Sequence, residues 1–120
     1  MSGIQLKMEN ERTMQRKPPI KLLIHDNILM APKHRLIYVG DSEITLTKTD
    51  YDLLYFLLKN RGRVYSSEQL YNHIWKAEAN DTTEKVVKSA IWRLRKKIDI
   101  DDNDVSLIEN LWGVGFKFRI

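Results

Sequence analysis

Residues 83–98, TEKVVKSAIWRLRKKI, combine an apolar stripe with a face of positive charge and hydrogen-bond donors. The apolar side chains recur at intervals of three and four residues, as in an amphipathic helix: they are Val87, Ala90, Ile91, Leu94 and Ile98. The opposite face carries polar and cationic side chains and one tryptophan: Lys85, Lys88, Ser89, Trp92, Arg93 and Lys96, with Arg95 at its margin. A helix of this width and charge fits the major groove of double-stranded DNA.

A glycine-containing turn follows this segment in residues 112–116, WGVGF. Gly113 and Gly115 separate two stretches, 105–111 and 116–120, that read as short strands. This pattern predicts a β-hairpin. A basic helix followed by a glycine-containing hairpin is the arrangement of a winged-helix DNA-binding domain, in which the hairpin is the wing.

The charge distribution supports a polyanionic partner for the helix. The chain has 120 residues, a formal net charge of +4 and a pI of about 9.3. Six Lys and Arg residues lie in residues 83–98 against one acidic residue, Glu84, whereas residues 99–110 carry five acidic residues and no basic one. We therefore expect the helix to face DNA and the acidic loop to face away from it.

The sequence gives little support to a metal site or to an enzyme active site. His25, His34 and His73 lie on separate predicted elements, and no HExxH pattern is present. The acidic residues 99–104 lack the glycine and the terminal glutamate of an EF-hand. No set of nucleophile, base and orienting group can be read. We expect no enzyme activity, no cofactor and no metal site.

The absence of cysteine excludes disulfides and thiolate metal sites. No run of about 18 apolar residues predicts a membrane span, and the polar N-terminus lacks a secretory signal core. These features favour a cytoplasmic protein without a membrane partner.

The chain divides into a short arm and one domain. Residues 1–19 are polar and end in two prolines, which predicts a flexible linker or arm. Residues 20–120 form an α+β domain that begins with four short antiparallel strands at 21–25, 28–31, 35–39 and 43–46. Helices follow at the N-caps Thr47 and Ser66 and at a cap formed by Asp81 or Thr82.

Capping details and turn residues refine these boundaries. Asp50 and Gln69 stand where a capping box places the residue that reaches back to Thr47 and Ser66, and Glu84 stands in that position for Asp81. Gly62 is expected to end the first helix. The three helices must form the core, with sheet on both flanks.

Five segments of the chain resemble the C-terminal effector domain of OmpR/PhoB-type response regulators, the winged helix-turn-helix transcription factors of bacterial two-component systems. The segments are LTKTDYDLL from Leu46, NRGRVYSSEQL from Asn60, IW from Ile74, VVKSAIWRLRKKI from Val86 and LWGVGFKF from Leu111. The resemblance implies a four-stranded N-terminal antiparallel sheet, a three-helix core and a C-terminal wing. It also implies that helix 83–98 is the recognition helix in the major groove and that wing 111–118 meets the minor groove.

The resemblance assigns roles to individual residues. Val86, Ser89 and Arg93 match positions that face base edges, and Trp75, Trp92 and Arg95 match positions that meet phosphates. Residues 76–80 match a loop through which some members touch RNA polymerase. A second copy of the chain would bind beside the first on a direct repeat. Ser67 and Trp112 stand where the family often has arginine, Lys88 where it often has aspartate, and Ala90 where it often has histidine.

Some assignments have alternatives. Lys85, Lys88 and Lys96 either bind phosphates or keep the helix hydrated. Trp112 either contacts DNA or braces the hairpin. Trp75 is in the first place a core residue and in the second place a phosphate contact. The exposed tryptophans also fit a winged-helix protein-interaction module that does not bind DNA.

Overall fold

The computed structural model describes residues 21–99 and 106–120. The predicted four-stranded antiparallel sheet is confirmed, in the order β1 (Leu23–His25), β2 (Ile28–Ala31), β3 (Leu36–Val39) and β4 (Ser42–Glu43). β4 is shorter than the predicted strand 43–46. Ile44 and Leu46 lie beyond this strand and are half-buried against the hydrophobic core. The Ile44 amide still donates to the Ile37 carbonyl of β3 at 3.0 Å. Residues 1–20 and 100–105 are outside the described part, so the predicted arm and most of the acidic loop remain predictions.

Helix α1 (Lys48–Lys59) begins as predicted, with the Thr47 hydroxyl accepting a hydrogen bond from the Asp50 amide at 3.1 Å. The predicted capping box is wrong, because the Asp50 carboxylate binds Arg93 and does not accept from the Thr47 amide. The helix ends at Lys59, with Asn60 as its C-cap, before the predicted stop at Gly62. Asn60 caps this end by donating from its side-chain amide to the Phe56 carbonyl at 2.8 Å.

A short strand β5 (Val64–Tyr65) leads to helix α2 (Ser67–Leu70). The predicted capping box is confirmed: the Gln69 amide donates to the Ser66 hydroxyl at 3.1 Å, and the Ser66 amide donates to the Gln69 side chain at 2.9 Å. α2 continues as a π-helical turn over Tyr71–Trp75 and ends at Lys76, which adopts a left-handed conformation with φ of 55°.

Helix α3 (Thr83–Ile98) has the predicted bounds, and its N-cap position is occupied by Thr82, one of the two predicted cap residues. Neither Asp81 nor Thr82 caps it through a side chain. The Asn80 side-chain oxygen instead accepts from the Thr82 amide at 2.8 Å and from its hydroxyl at 2.7 Å. The Thr83 hydroxyl in turn accepts from the Asn80 amide at 2.8 Å. Glu84 forms an ion pair with Lys88 and does not complete a capping box.

The C-terminal hairpin consists of β6 (Ile108–Leu111) and β7 (Gly115–Phe118). β7 lies between β6 and β5, so the hairpin is part of a three-stranded sheet. Gly115 permits this arrangement, because a Cβ atom there would collide with the backbone of Tyr65. The close approach fixes the wing beside the start of α2.

One hydrophobic core joins both sheets to the helices. The predicted apolar stripe of α3 is fully buried in it, and α3 packs against α1 and α2. Within the two described ranges, every buried side-chain nitrogen and oxygen has a hydrogen-bond partner. Across that same part of the chain, none of the helices is both long enough and apolar enough to span a bilayer. With its inner side held this way, α3 presents a defined outer face.

Candidate nucleic-acid interface

The centre of the outer face of α3 is formed by four side chains spaced along one line of the helix. With 3.6 residues per turn, positions i, i+4, i+7 and i+11 share one face. These positions hold Lys85, Ser89, Trp92 and Lys96, and all four are exposed. Trp92 is 57% exposed, which is unusual for a tryptophan in the middle of a packed helix. The helix therefore offers cations, a hydroxyl and an aromatic surface at its most accessible line.

Trp92 is oriented by the residue one turn further along. The Lys96 Nζ atom lies 4.0 Å from the centroid of the Trp92 ring, in cation–π contact. Among the residues that the structure describes, no carboxylate pairs with Lys85 or Lys96. Their charges are available to an external anion.

Arg93 lies on one flank of this line and is bound to α1. Its Nε and Nη2 atoms donate to the two carboxylate oxygens of Asp50 at 3.0 and 3.1 Å. The Asp50 hydrogen bond raises the pKa of Arg93, so the guanidinium stays charged. Two of its five N–H donors are thus used inside the domain, and the base-edge contact that the resemblance implies would have to start from the remaining three. The side chain is still 50% exposed.

Arg95 lies on the opposite flank and is bound to the hairpin. Its Nε and Nη2 atoms both donate to the Ile108 carbonyl oxygen, at 3.1 and 2.7 Å. Burial lowers the pKa of this arginine, although Asp99 opposes the shift. The predicted phosphate contact thus starts from a side chain that already ties α3 to β6.

The other predicted DNA-contact residues on the helices differ in exposure and in the contacts that they make. Lys88 is exposed but paired with Glu84 at 2.8 Å, a contact between two solvent-accessible groups that water screens strongly. Val86 is half-buried at the margin of the face. Trp75 is half-buried against the core and stacks on Tyr71 at a centroid distance of 5.5 Å, as expected of a core residue.

The tip of the wing is apolar and exposed. Trp112 is 97% exposed and Val114 is 58% exposed. The possibility that Trp112 braces the hairpin is wrong, because Gly113 with its φ of 73° carries the turn and Trp112 projects from it into solvent. No charged residue lies between Leu111 and Phe116. The tip therefore adds apolar surface and no charge to this side of the molecule.

The wing and α3 flank a groove of about 410 Å³. It is lined by Ser66 and Ser67 at the start of α2, by Glu84 and Lys88 of α3 and by Trp112 of the wing. Glu68 also lines the groove, so its potential is mixed, in contrast to the line from Lys85 to Lys96. Over the described ranges, no cluster of three or more His, Asp or Glu residues could hold a metal ion.

Sequence reasoning missed Asp50 as the anchor of Arg93. A usable signal was present, since Asp50 precedes Leu53, Leu54 and Leu57 by three, four and seven residues and so shares their buried face. A carboxylate on an apolar face requires a partner. Which cation supplies it cannot be read from a pattern within one helix.

Comparison with known proteins places this arrangement in context. The family model described as "Transcriptional regulatory protein, C terminal" matches residues 41–118. The response regulator ArlR of Staphylococcus aureus is 38% identical to this chain over 109 residues, which are 90% of this chain and 49% of ArlR. The chain thus spans about half the length of that relative.

Solved structures that share the fold include two from response regulators. The response regulator DrrB of Thermotoga maritima, an OmpR/PhoB homolog, matches with a TM-score of 0.71 at 27% identity, over 95% of this chain and 51% of DrrB. The DNA-binding domain of the response regulator AdeR, solved in complex with an intercistronic region, matches with a TM-score of 0.68 at 25% identity, over 80% of this chain and 97% of that domain. The family match contains α1, α2, α3 and the wing.

Proposed function

This chain belongs to the family of C-terminal effector domains of OmpR/PhoB-type transcriptional regulators, and on that premise we propose that it binds double-stranded DNA with sequence specificity. Its family is one of regulators and not of enzymes. In the proposed complex, α3 lies in the major groove and the wing β6–β7 meets the adjacent minor groove. The binding is non-catalytic and takes place in the cytoplasm of a bacterial cell.

The observation that supports this proposal most directly is the outer line of α3. Lys85 and Lys96 carry available charge at its two ends, and Ser89 and Trp92 lie between them. The buried stripe on the other side of the helix holds the line in a fixed orientation. Cationic ends suit phosphates on either side of a groove, and the central side chains reach base edges.

The flanking residues contribute in different ways. Lys88 is proposed to exchange its contact with Glu84 for a phosphate, and Arg93 and Arg95 to offer their remaining N–H donors to the backbone. Val86, Trp75 and Trp112 complete the proposed contact surface. Because Arg93 and Arg95 also hold α3 to α1 and β6, their substitution tests stability together with binding.

The decisive experiment is binding-site selection followed by titration against salt. The purified chain is used to select duplexes from a random pool, and the selected duplex and a scrambled duplex are titrated by fluorescence anisotropy between about 50 and 200 mM salt. We expect preferential binding of the selected duplex, and a logarithmic salt slope of about −0.9 for each phosphate contacted. Failure to enrich any sequence, or a slope near zero, would favour the protein-interaction module instead.

A contact with RNA polymerase through residues 76–80 is a further part of the proposal. Four of these five residues are exposed, among them Lys76 and Glu78. Lys76 adopts a left-handed conformation at the end of the π-helical turn, where the loop begins. Charge reversal at Glu78 should change transcription in a reconstituted system while leaving DNA affinity unchanged.

A second copy of the chain is proposed to bind beside the first on a direct repeat. The resemblance to the family supports this arrangement. Titration of duplexes with one and two copies of the selected half-site, analysed by sedimentation, should give one and two bound chains. A single chain on the two-site duplex, at saturating concentration, would contradict it.

A further inference from the structure

We propose that Trp92 determines base specificity by packing its indole against the 5-methyl group of a thymine in the major groove. The proposal rests on the DNA binding proposed above and assigns the base reading to the centre of α3, in place of Arg93. It follows from three features of the outer face: the engagement of the flanking arginines, the exposure of the indole and the cavity beside it.

The two arginines that flank the central line are engaged within the domain: Arg93, which the family resemblance assigns to base edges, and Arg95, which it assigns to phosphates. Arg93 gives its Nε–H and one Nη2–H to the buried Asp50, and Arg95 gives the corresponding pair to the Ile108 carbonyl. They lie about 80° to either side of the central line, at 100° per residue. The groove floor would therefore meet the central line first.

Trp92 presents apolar surface at that centre. The Lys96 Nζ atom lies over one face of its ring, 4.0 Å from the centroid. Helical side chains lean toward the N-terminus, which carries the ring toward Ser89. An open surface cavity of about 520 Å³ lies there, lined by Trp92, Ser89, Lys85 and Lys88. Its remaining lining residues are Asp81 and Glu84, so the lining carries two carboxylates and two lysine ammonium groups.

The chemistry of this cavity matches one base edge. An indole wall beside a small hydroxyl accepts a methyl group, and thymine is the base that carries a methyl group in the major groove. Lysines at the rim suit the phosphates on either side. Adenine, guanine and cytosine carry no methyl group at this edge, and an apolar wall would leave their hydrogen-bonding groups there unsatisfied.

The test removes only the methyl group. Each thymine of the selected duplex is replaced in turn by deoxyuridine, and the Kd is measured for the wild-type chain and for Trp92→Ala. One or two replacements should weaken wild-type binding about fourfold, as expected for one methyl group withdrawn from an apolar contact. Trp92→Ala should bind thymine and deoxyuridine equally at those positions, while other positions keep their ratios.

The matched control is Lys85→Ala, on the same line of the helix. It should weaken binding and reduce the salt slope, yet keep the thymine-to-deoxyuridine ratio of the wild type. Trp92→Phe should retain part of that ratio. Because Trp92 is exposed, its variants should unfold at the same urea concentration as the wild type.

Three results would overturn the proposal. A wild-type chain that binds the selected duplex but tolerates every deoxyuridine replacement reads no methyl group. A Trp92→Ala variant that keeps the ratio assigns the methyl contact to another residue. Unchanged DNA affinity in Trp92→Ala means that the indole serves a different partner, such as a protein. Absence of binding to any duplex would instead refute the DNA-binding function itself.

Discussion

At the scale of single residues, the Asp50–Arg93 pair is asymmetric. Asp50 is 4% exposed, whereas the Arg93 side chain is 50% exposed. Removing the arginine leaves a buried carboxylate without its partner, and removing the carboxylate leaves a guanidinium that water can hydrate. The pair therefore holds α3 to α1 mainly because the buried Asp50 carboxylate needs a cationic hydrogen-bond partner.

We expect Arg93→Ala to lower the free energy of unfolding by about 3 kcal/mol, toward the value for a broken buried pair. Asp50→Ala should cost about 1 kcal/mol, the net worth of ordinary hydrogen bonds. Urea unfolding followed by tryptophan fluorescence measures both. The double variant should recover part of the Arg93→Ala loss, since it also removes the buried charge. Equal costs for the two single variants would contradict this account.

At the scale of elements, the start of α3 depends on Asn80. Its side-chain oxygen accepts two hydrogen bonds from Thr82, and its backbone amide donates to the Thr83 hydroxyl. Asn80→Ala should therefore lower the free energy of unfolding by about 1 kcal/mol, a typical value for a lost cap. Asp81→Ala is the matched control, and its urea midpoint should be unchanged within error. A larger effect at Asp81 would indicate that the capping box predicted for Asp81 and Glu84 does form.

The wing depends on glycine at one position far more than at its neighbour. At Gly115 a side chain would collide with the backbone of Tyr65 in β5, whereas at Gly113 the space around a Cβ is open and only the φ of 73° is unfavourable. Gly113→Ala should cost about 1 kcal/mol. Gly115→Ala should cost more than about 2 kcal/mol, because β7 must move away from β5. Thermal unfolding compares them, and similar midpoints would show that β7 moves without cost.

At the scale of the whole molecule, the proposed interface has a charged part and an uncharged part. Lys85 belongs to the charged line of α3, whereas Trp112 stands on a wing tip without charge. Lys85→Ala should reduce the magnitude of the logarithmic salt slope by about 0.9, the value for one phosphate contact. Trp112→Ala should weaken binding while leaving the slope unchanged, because apolar contacts release no counterions. A changed slope in Trp112→Ala would mean that the wing positions a cation elsewhere.

The fold was largely predictable because its elements carry local patterns. The three- and four-residue apolar spacing of α3 fixes its bounds and its buried stripe, and Ser66 with Gln69 fixes the start of α2. The extent of β4 was not predictable, since Ile44 and Leu46 fit a strand as well as the packed segment that they form. Thr82 was one of the two predicted N-caps of α3, but the role of the Asn80 side chain was missed because three neighbouring residues could each accept amides at this end.

The sequence by itself determined that one helix would carry positive charge on one side and apolar surface on the other. The apolar side chains and the cationic side chains both recur at helical spacing within the same sixteen residues. The sequence also determined that a hairpin with a glycine-containing turn follows this helix. Only the tertiary structure decided which of the cationic side chains are available. Arg93 meets a carboxylate 43 residues earlier in the chain, and Arg95 meets a carbonyl 13 residues later. Helical periodicity states which direction a side chain takes from its own axis, and partners on other elements are set only when those elements pack together.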